Sequence, residues 1–345
     1  MVKIFSNKLF DICTQILIKV GLCEEDASVV ADNIVKGELR GVESHGIIQI
    51  FPFVERIQKN LINLKPKIKI TNPDSSFISI DADNGLGQVI ALKAIDLALK
   101  KAKDTGCCIV STFNTNYLGM LSYYSLQIAD NDMIGFITCS SPPAMAPTGG
   151  IEAKLGTNPF CFAIPTGKEY PIALDMSTSS VAKGKIRLAL KKNEKIPEGW
   201  ALDKEGLSTT DPKAALEGVL FPLGGYKGYG LGMMVDIFSG VLSGANFSTK
   251  ITNPLYNMDT SPNLGNFIMV IDIGNSMPVG KFKCRINELI EGIKSSKKMS
   301  SISEIFIPGE IEFRTEMKRL EEGIPISNSN YESLRQLANK FHINI

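Results

Sequence analysis

The apolar residues of this chain change their period near Pro66, and that change limits the folds open to it. Before Pro66 they recur at helical spacing, at Leu9, Cys13, Ile16, Leu17 and Val20, then at Ala27, Val30, Ala31 and Ile34. Gly21 suits the end of the first run. Glu24, Glu25 and Asp26 open the second, where acidic side chains match the positive end of a helix dipole. The first sixty residues are therefore expected to be helical. After Pro66, KIKITN and SFISIDAD alternate as strands do.

Further along, helices are expected over residues 89–103, 281–294 and 331–341, and buried strands over 107–112, 133–139 and 267–273. Residues 140–166, rich in Pro and Gly, read as a long loop region with short strands, and residues 228–243 as a buried helix despite their glycines. Helices, then mixed elements, then a helix again describe an α/β protein. A helical domain built from both chain ends (1–70 with 311–345) is expected around an α/β domain (71–310).

Lys and Arg (37) nearly cancel Asp and Glu (36), leaving a net charge of +1. No footprint for nucleic acid or for an anionic membrane surface follows from that balance. The longest apolar stretch, 229–245, is interrupted by Asp236 and is too short to span a bilayer. The opening MVKIFSNKLFDICTQ breaks its apolar residues with polar ones and does not read as a signal peptide. Seven cysteines, an odd number without a C-x-x-C pair, suggest buried structural thiols in a reduced, cytoplasmic protein. With two histidines, His45 and His342, no metal site is expected.

A Rossmann-type dinucleotide site would show G-x-G-x-x-G between strand and helix. Gly85-Leu86-Gly87 follows a strand and opens a helix, but the third glycine is missing. The run Gly224-Gly225-Tyr226-Lys227-Gly228 fits a phosphate better, since it places one lysine in flexible backbone at a helix start. Both remain compatible with ordinary turns.

Together the motifs resemble a known family. Arg40-Gly41-Val42-Glu43-Ser44-His45-Gly46 is similar to the R-G-x-D/E-S-H-G element of the malate/L-lactate/sulfolactate dehydrogenases. PAMAPTGG (143–150), LGTNPFCFAIP (155–165), LDMSTSSVAKGKI (174–186), PLGGYKGYGLGMMVD (222–236) and IPGEIE (307–312) resemble its later motifs in order, over essentially the whole chain. The resemblance implies a three-layer, mixed-sheet, non-Rossmann NAD(P)-binding domain with a smaller helical domain, assembled as a homodimer. It also implies NAD or NADP held by Ser141, by Asp175, Met176 and Ser177, by Lys227 and Gly228, and by Pro308, Gly309 and Glu310. The implied substrate is a small 2-oxo or 2-hydroxy acid. An imine reductase on the same scaffold is the alternative reading.

Reduction of a 2-oxo acid needs a hydride at carbon and a proton at oxygen. Histidine titrates near neutrality and suits that proton. His45 is the candidate acid/base, with Ser44 placed to hydrogen-bond the reacting oxygen. Two positions depart from the family pattern. Gln49 stands where the family has an arginine that would grip a carboxylate, and Tyr117 where it has a second histidine. Weak turnover of plain pyruvate or oxaloacetate is therefore expected unless another cation serves; Lys154 and Arg187 are the candidates.

Overall fold

The computed structural model describes residues 1–344. Strand β1 (Val2–Ile4) precedes helices α1 (Ser6–Lys19), α2 (Glu24–Leu39) and α3 (Ile50–Gln58). Between α2 and α3 the chain makes two short 3-10 turns, Glu43–His45 and Ile47–Gln49. Next come β2 (Lys69–Thr71), β3 (Phe77–Gly85), α4 (Gly87–Thr105), β4 (Cys107–Thr115), α5 (Ser122–Asp130) and β5 (Met133–Cys139). The Pro- and Gly-rich region holds β6 (Pro143–Met145), β7 (Leu155–Gly156) and β8 (Phe160–Ile164), and β9 (Ile172–Met176) follows. A second lobe contains α6 (Lys183–Lys192), β10 (Ala201–Leu202), β11 (Ser208–Thr209), α7 (Pro212–Glu217) and β12 (Val219–Leu220). Helix α8 (Tyr226–Asp236) continues into a π-helical turn, Ile237–Val241. The chain closes with β13 (Leu264–Asp272), α9 (Val279–Lys294), α10 (Glu310–Glu322), β14 (Ile324–Ile326) and α11 (Asn328–Lys340).

Seven strands form the main sheet in the order β2-β3-β4-β13-β5-β8-β9. Only β3 and β4 run parallel, joined by α4 as a crossover, and every other neighbouring pair is antiparallel. Strand alternation separates the two faces. Ile268 and Val270 of β13 join Ile137, Cys161 and the alanine face of α4 in one core. Phe267 turns the other way, stacks on Phe238 of the π turn at 5.0 Å, and meets Phe136. The sheet is mixed and lies between helical layers. A five-stranded sheet, β11-β10-β12-β6-β7, carries a smaller core with Ile186, Ile196 and Ala215.

A third core draws on both ends of the chain: Leu9, Ile12, Cys13, Ile16 and Leu17 of α1 and the buried face of α2 pack with Ile324, Ile326, Leu334 and Ala338. The residues with early helical spacing are its centre, with Leu9, Cys13, Ile16 and Leu17 fully buried.

Three expectations need correction. The first sixty residues are not all helical, because Val2–Ile4 pairs with Ile324–Ile326 as a two-stranded ribbon; three-residue strands leave too short a pattern to read. Residues 228–243 are helical but buried on one side only. Small residues (Gly228, Gly232, Ser239, Gly240) form the packed side, and Leu231, Met233, Met234, Ile237, Val241 and Leu242 face outward. Finally, Cys23, Cys107 and Cys284 are exposed. Cys23 caps α2, Cys107 begins β4, and α9 buries only Ile290, so none reaches a core.

Candidate active site

The His45 turn is held from behind by α2. A Cβ added to Gly37 would stand 2.8 Å from the His45 carbonyl oxygen, so helix and turn meet backbone to backbone. The next residue, Glu38, accepts the Ile47 N–H at 2.8 Å and fills the space that a side chain on Gly46 would need. Burial pushes the Glu38 carboxyl up to about 7, with the Ile47 hydrogen bond opposing. Arg319 of α10 donates to the Glu38 carbonyl and, at 3.2 Å, to Glu43. Gln49, buried, spends its Nε2 on the Ser44 carbonyl, leaving Oε1 without a partner. The substituted glutamine therefore braces the turn.

Ser44 Oγ lies 2.9 Å from His45 Nδ1. That contact fixes the ring's rotation and leaves Nε2 without a partner among the described residues. The His45 ring stacks on Tyr117, centroids 6.1 Å apart and planes 19° from parallel, and Phe53 supports Tyr117 from another side. Tyr117 is set by the glycine run preceding α4. A Cβ on Gly87 would collide with the backbone oxygens of Asn116 and Tyr117, at 2.4 and 2.5 Å. The near-Rossmann glycines thus admit the Tyr117 loop. Burial, then the Cys139, Tyr256 and Asp175 groups, push the Tyr117 hydroxyl well above its ordinary range, so it stays protonated.

Asp175 on β9 completes the group, accepting the Ser122 N–H at 2.8 Å. Asp175 is exposed to water and His45 half-exposed, yet protein surrounds both closely enough to disfavour their charged forms. Those low-dielectric surroundings push the His45 imidazole down and the Asp175 carboxyl up, while attraction between the two opposes both shifts.

The remaining residues expected at the site fall in two places. Ser141 donates its N–H to Asn158 Oδ1 at 3.0 Å and sits 3.2 Å from Thr157 Oγ1. Thr178 binds the Thr157 carbonyl and accepts from the Leu223 N–H, which ties Ser141, the Met176–Ser177 end of β9 and Gly228 into one region. Gly228 is a close-approach position, 2.3–2.6 Å from Leu223 and Thr178 backbone for an added Cβ. Lys227 is exposed and has no carboxylate partner among the described residues, and it follows Gly224 and Gly225, both at positive φ. Pro308 and Gly309 flank the start of β9. The Pro308 carbonyl accepts from Ala173, and Gly309, at φ 88°, packs on Ala173 one pleat before Asp175. Glu310 is turned elsewhere, buried with Lys294 and Arg314, each at 2.6 Å. Burial opposes its ionisation, but Lys294, the Ile307 N–H and Arg314 outweigh that and hold it down to about 2.

Sequence reasoning missed Gly37, Glu38, Ser122 and Tyr256. A signal existed for Gly37 alone, since glycine inside a helix costs stability and asks for a packing reason. Among the described residues no cluster of three His, Cys, Asp or Glu side chains forms a metal site.

The chain as a whole is similar to known dehydrogenases. The family model described as malate/L-lactate dehydrogenase matches residues 4–335. The chain is 44% identical to malate dehydrogenase of Pyrococcus horikoshii over 98% of this chain and 95% of that protein. The solved sulfolactate dehydrogenase of Methanocaldococcus jannaschii superposes with a TM-score of 0.93 at 41% identity, covering 99% and 98% of the two chains. Malate dehydrogenase of Entamoeba histolytica superposes at 0.95 with 29% identity, covering 100% and 99%. By sequence and by fold, the chain belongs to the malate/L-lactate dehydrogenase family, oxidoreductases that act on CH–OH groups.

Proposed function

We propose that this protein interconverts a small 2-hydroxy acid and its 2-oxo acid, with NAD or NADP as hydride carrier and His45 as acid/base. The observation that carries the reading is the packing of Ser44, His45 and Tyr117 together, with Asp175 close enough to act on the imidazole, a group read as the floor of a substrate cleft. Its residues suit a dinucleotide: Lys227, without a carboxylate partner among the described residues, sits in a glycine frame, and Asp175 keeps acceptor capacity beyond the Ser122 N–H it accepts. Ser141, Met176, Ser177, Gly228 and the Pro308–Gly309 backbone are the other contacts proposed, with Glu310 acting from beneath as a brace. A bound nicotinamide supplies the hydride. His45 Nε2 gives the proton to the substrate oxygen during reduction and takes it back during oxidation. Tyr117, protonated and stacked on the imidazole, offers that oxygen a second donor.

The helical part from both chain ends is proposed to position the His45 turn, and the sheet part to hold the cofactor. A homodimer is proposed through the outward apolar stripe of α8 and the π turn, a surface that invites a partner. The exposed thiols fit a reducing, cytoplasmic setting. No helix among the described residues is long and apolar enough to cross a membrane.

Absorbance assays of NADH and NADPH against malate, lactate and their 2-oxo partners, with a cyclic imine as control, test the reading. Turnover of a hydroxy/oxo pair should fall about 10²–10⁴-fold in His45→Ala. Exclusive turnover of the imine would overturn the substrate class.

A further inference from the structure

We propose that Lys183 and Arg187 clamp the far acidic group of the substrate, so that the site prefers a 2-oxo acid with a second anion over a plain monocarboxylate. The proposal rests on the reading of the cleft as a 2-oxo acid site. Gln49 offers no charge there, and its amide is already engaged with Ser44. The other cation singled out in the sequence, Lys154, pairs with Glu152 at 2.6 Å.

Helix α6 supplies the missing charge. Its first turn abuts the His45 turn, since a Cβ on Gly184 would lie 3.9 Å from Ser44 Cβ. Ile186 anchors the helix in the small core. Lys183 and Arg187, one turn apart, share another face. The Arg187 guanidinium lies over the Tyr256 ring at 5.4 Å, and Tyr256 is one of the groups that raise Tyr117. The helix thus meets Ser44, beside His45, through its first turn and holds Arg187 on Tyr256 one turn later.

Among the described residues, neither cation forms an ion pair with any of the carboxylates, although fourteen such contacts exist elsewhere. Lys183 is half-buried. Two like charges on one helical face repel, and partial burial adds to the cost. An anion held between them removes both penalties. A guanidinium fixed over an aromatic ring is preorganised for a bidentate carboxylate or sulfonate. The same cations would also suit a cofactor phosphate, and the experiment separates the two.

Steady-state reduction of oxaloacetate and of pyruvate is measured for wild type, Lys183→Gln, Arg187→Gln and Arg187→Lys, alongside fluorescence titration of NADH and NADPH. The wild type is expected to favour oxaloacetate. Each Gln variant is expected to lose about 10–100-fold in kcat/KM for oxaloacetate, through KM, as removal of a charge-assisted contact predicts. Pyruvate kinetics and cofactor affinity should stay unchanged, and Arg187→Lys should recover part of the loss. Equal losses on both substrates, no loss on either, or weakened cofactor binding would overturn the clamp. If the wild type turns over no 2-oxo acid at all, the reading of the cleft itself fails, a different outcome from wild-type turnover that the variants leave unchanged.

Discussion

The carbonyl oxygen of His45 lies 2.8 Å from the point where a Cβ on Gly37 would stand. Gly37→Ala must therefore push the His45 turn away from α2. Displacing a reacting group by about 1 Å can cost about 10²-fold in rate, so kcat is expected to fall by that order while NADH affinity holds. Overpacking should also cost about 1–3 kcal/mol of stability. Steady-state kinetics beside thermal melts check both; an unchanged kcat would mean that the turn yields freely.

The pH profile should report the environment of His45. Burial drives its imidazole below the ordinary 6.5, with Asp175 pulling it back. Oxidation needs the neutral ring, so its kcat/KM should fall away only at pH values below the ordinary histidine range. Removing the opposing charge in Asp175→Asn should move that limb to still lower pH. A limb that stays in place would assign the titration to another group.

Glu38 predicts a stability change in the opposite pH range. Its folded carboxyl is raised from 4.5 to about 7, so the proton it holds stabilises the fold below about 4.5, and that contribution is lost as pH rises toward 7. Above that point an ionised carboxylate is buried behind the His45 turn. Glu38→Gln keeps an acceptor for Ile47 and removes the charge. It should melt higher than wild type at about pH 8, by roughly 3 kcal/mol at most, and lose the advantage near pH 5. Parallel melting curves across that range would refute this.

Glu310 has the reverse sign. Held down to about 2 by Lys294 and Arg314, it stabilises the fold above about 4.5 and loses that contribution as pH falls toward 2. Glu310→Gln should cost about 1–3 kcal/mol at neutral pH and leave NADH affinity unchanged. A weakened NADH complex with an unchanged melt would place the carboxylate on the cofactor instead.

The apolar stripe on α8 predicts the assembly. Met234→Asp with Ile237→Asp should convert a dimer into monomers in light scattering, because both side chains face outward. A mass unaffected by the pair of charges would move the interface elsewhere.

Much of this was readable in one dimension. Leu9, Cys13, Ile16 and Leu17 announced a buried helical face because their spacing is local, and the S-H-G element marked its own turn. Contacts that join distant segments left no such trace. Nothing in the spacing pairs Gly37 with His45, Asp175 with Ser122, or Arg187 with Tyr256. The α8 stripe misled for a related reason: apolar content records what a surface avoids, and a partner molecule can satisfy it as well as a core.

The ribbon that joins Val2–Ile4 to Ile324–Ile326 also sets an order of events. Helices α1 and α2 complete their core only with residues that leave the ribosome roughly three hundred positions later. Until then the part of their apolar faces that Ile324, Ile326, Leu334 and Ala338 cover stays open, while the main sheet can already assemble from the strands between. Release of the last helix is then the step that closes the molecule, and a chain stalled or cut before Ile324 would keep a folded sheet with a sticky, unfinished amino-terminal end.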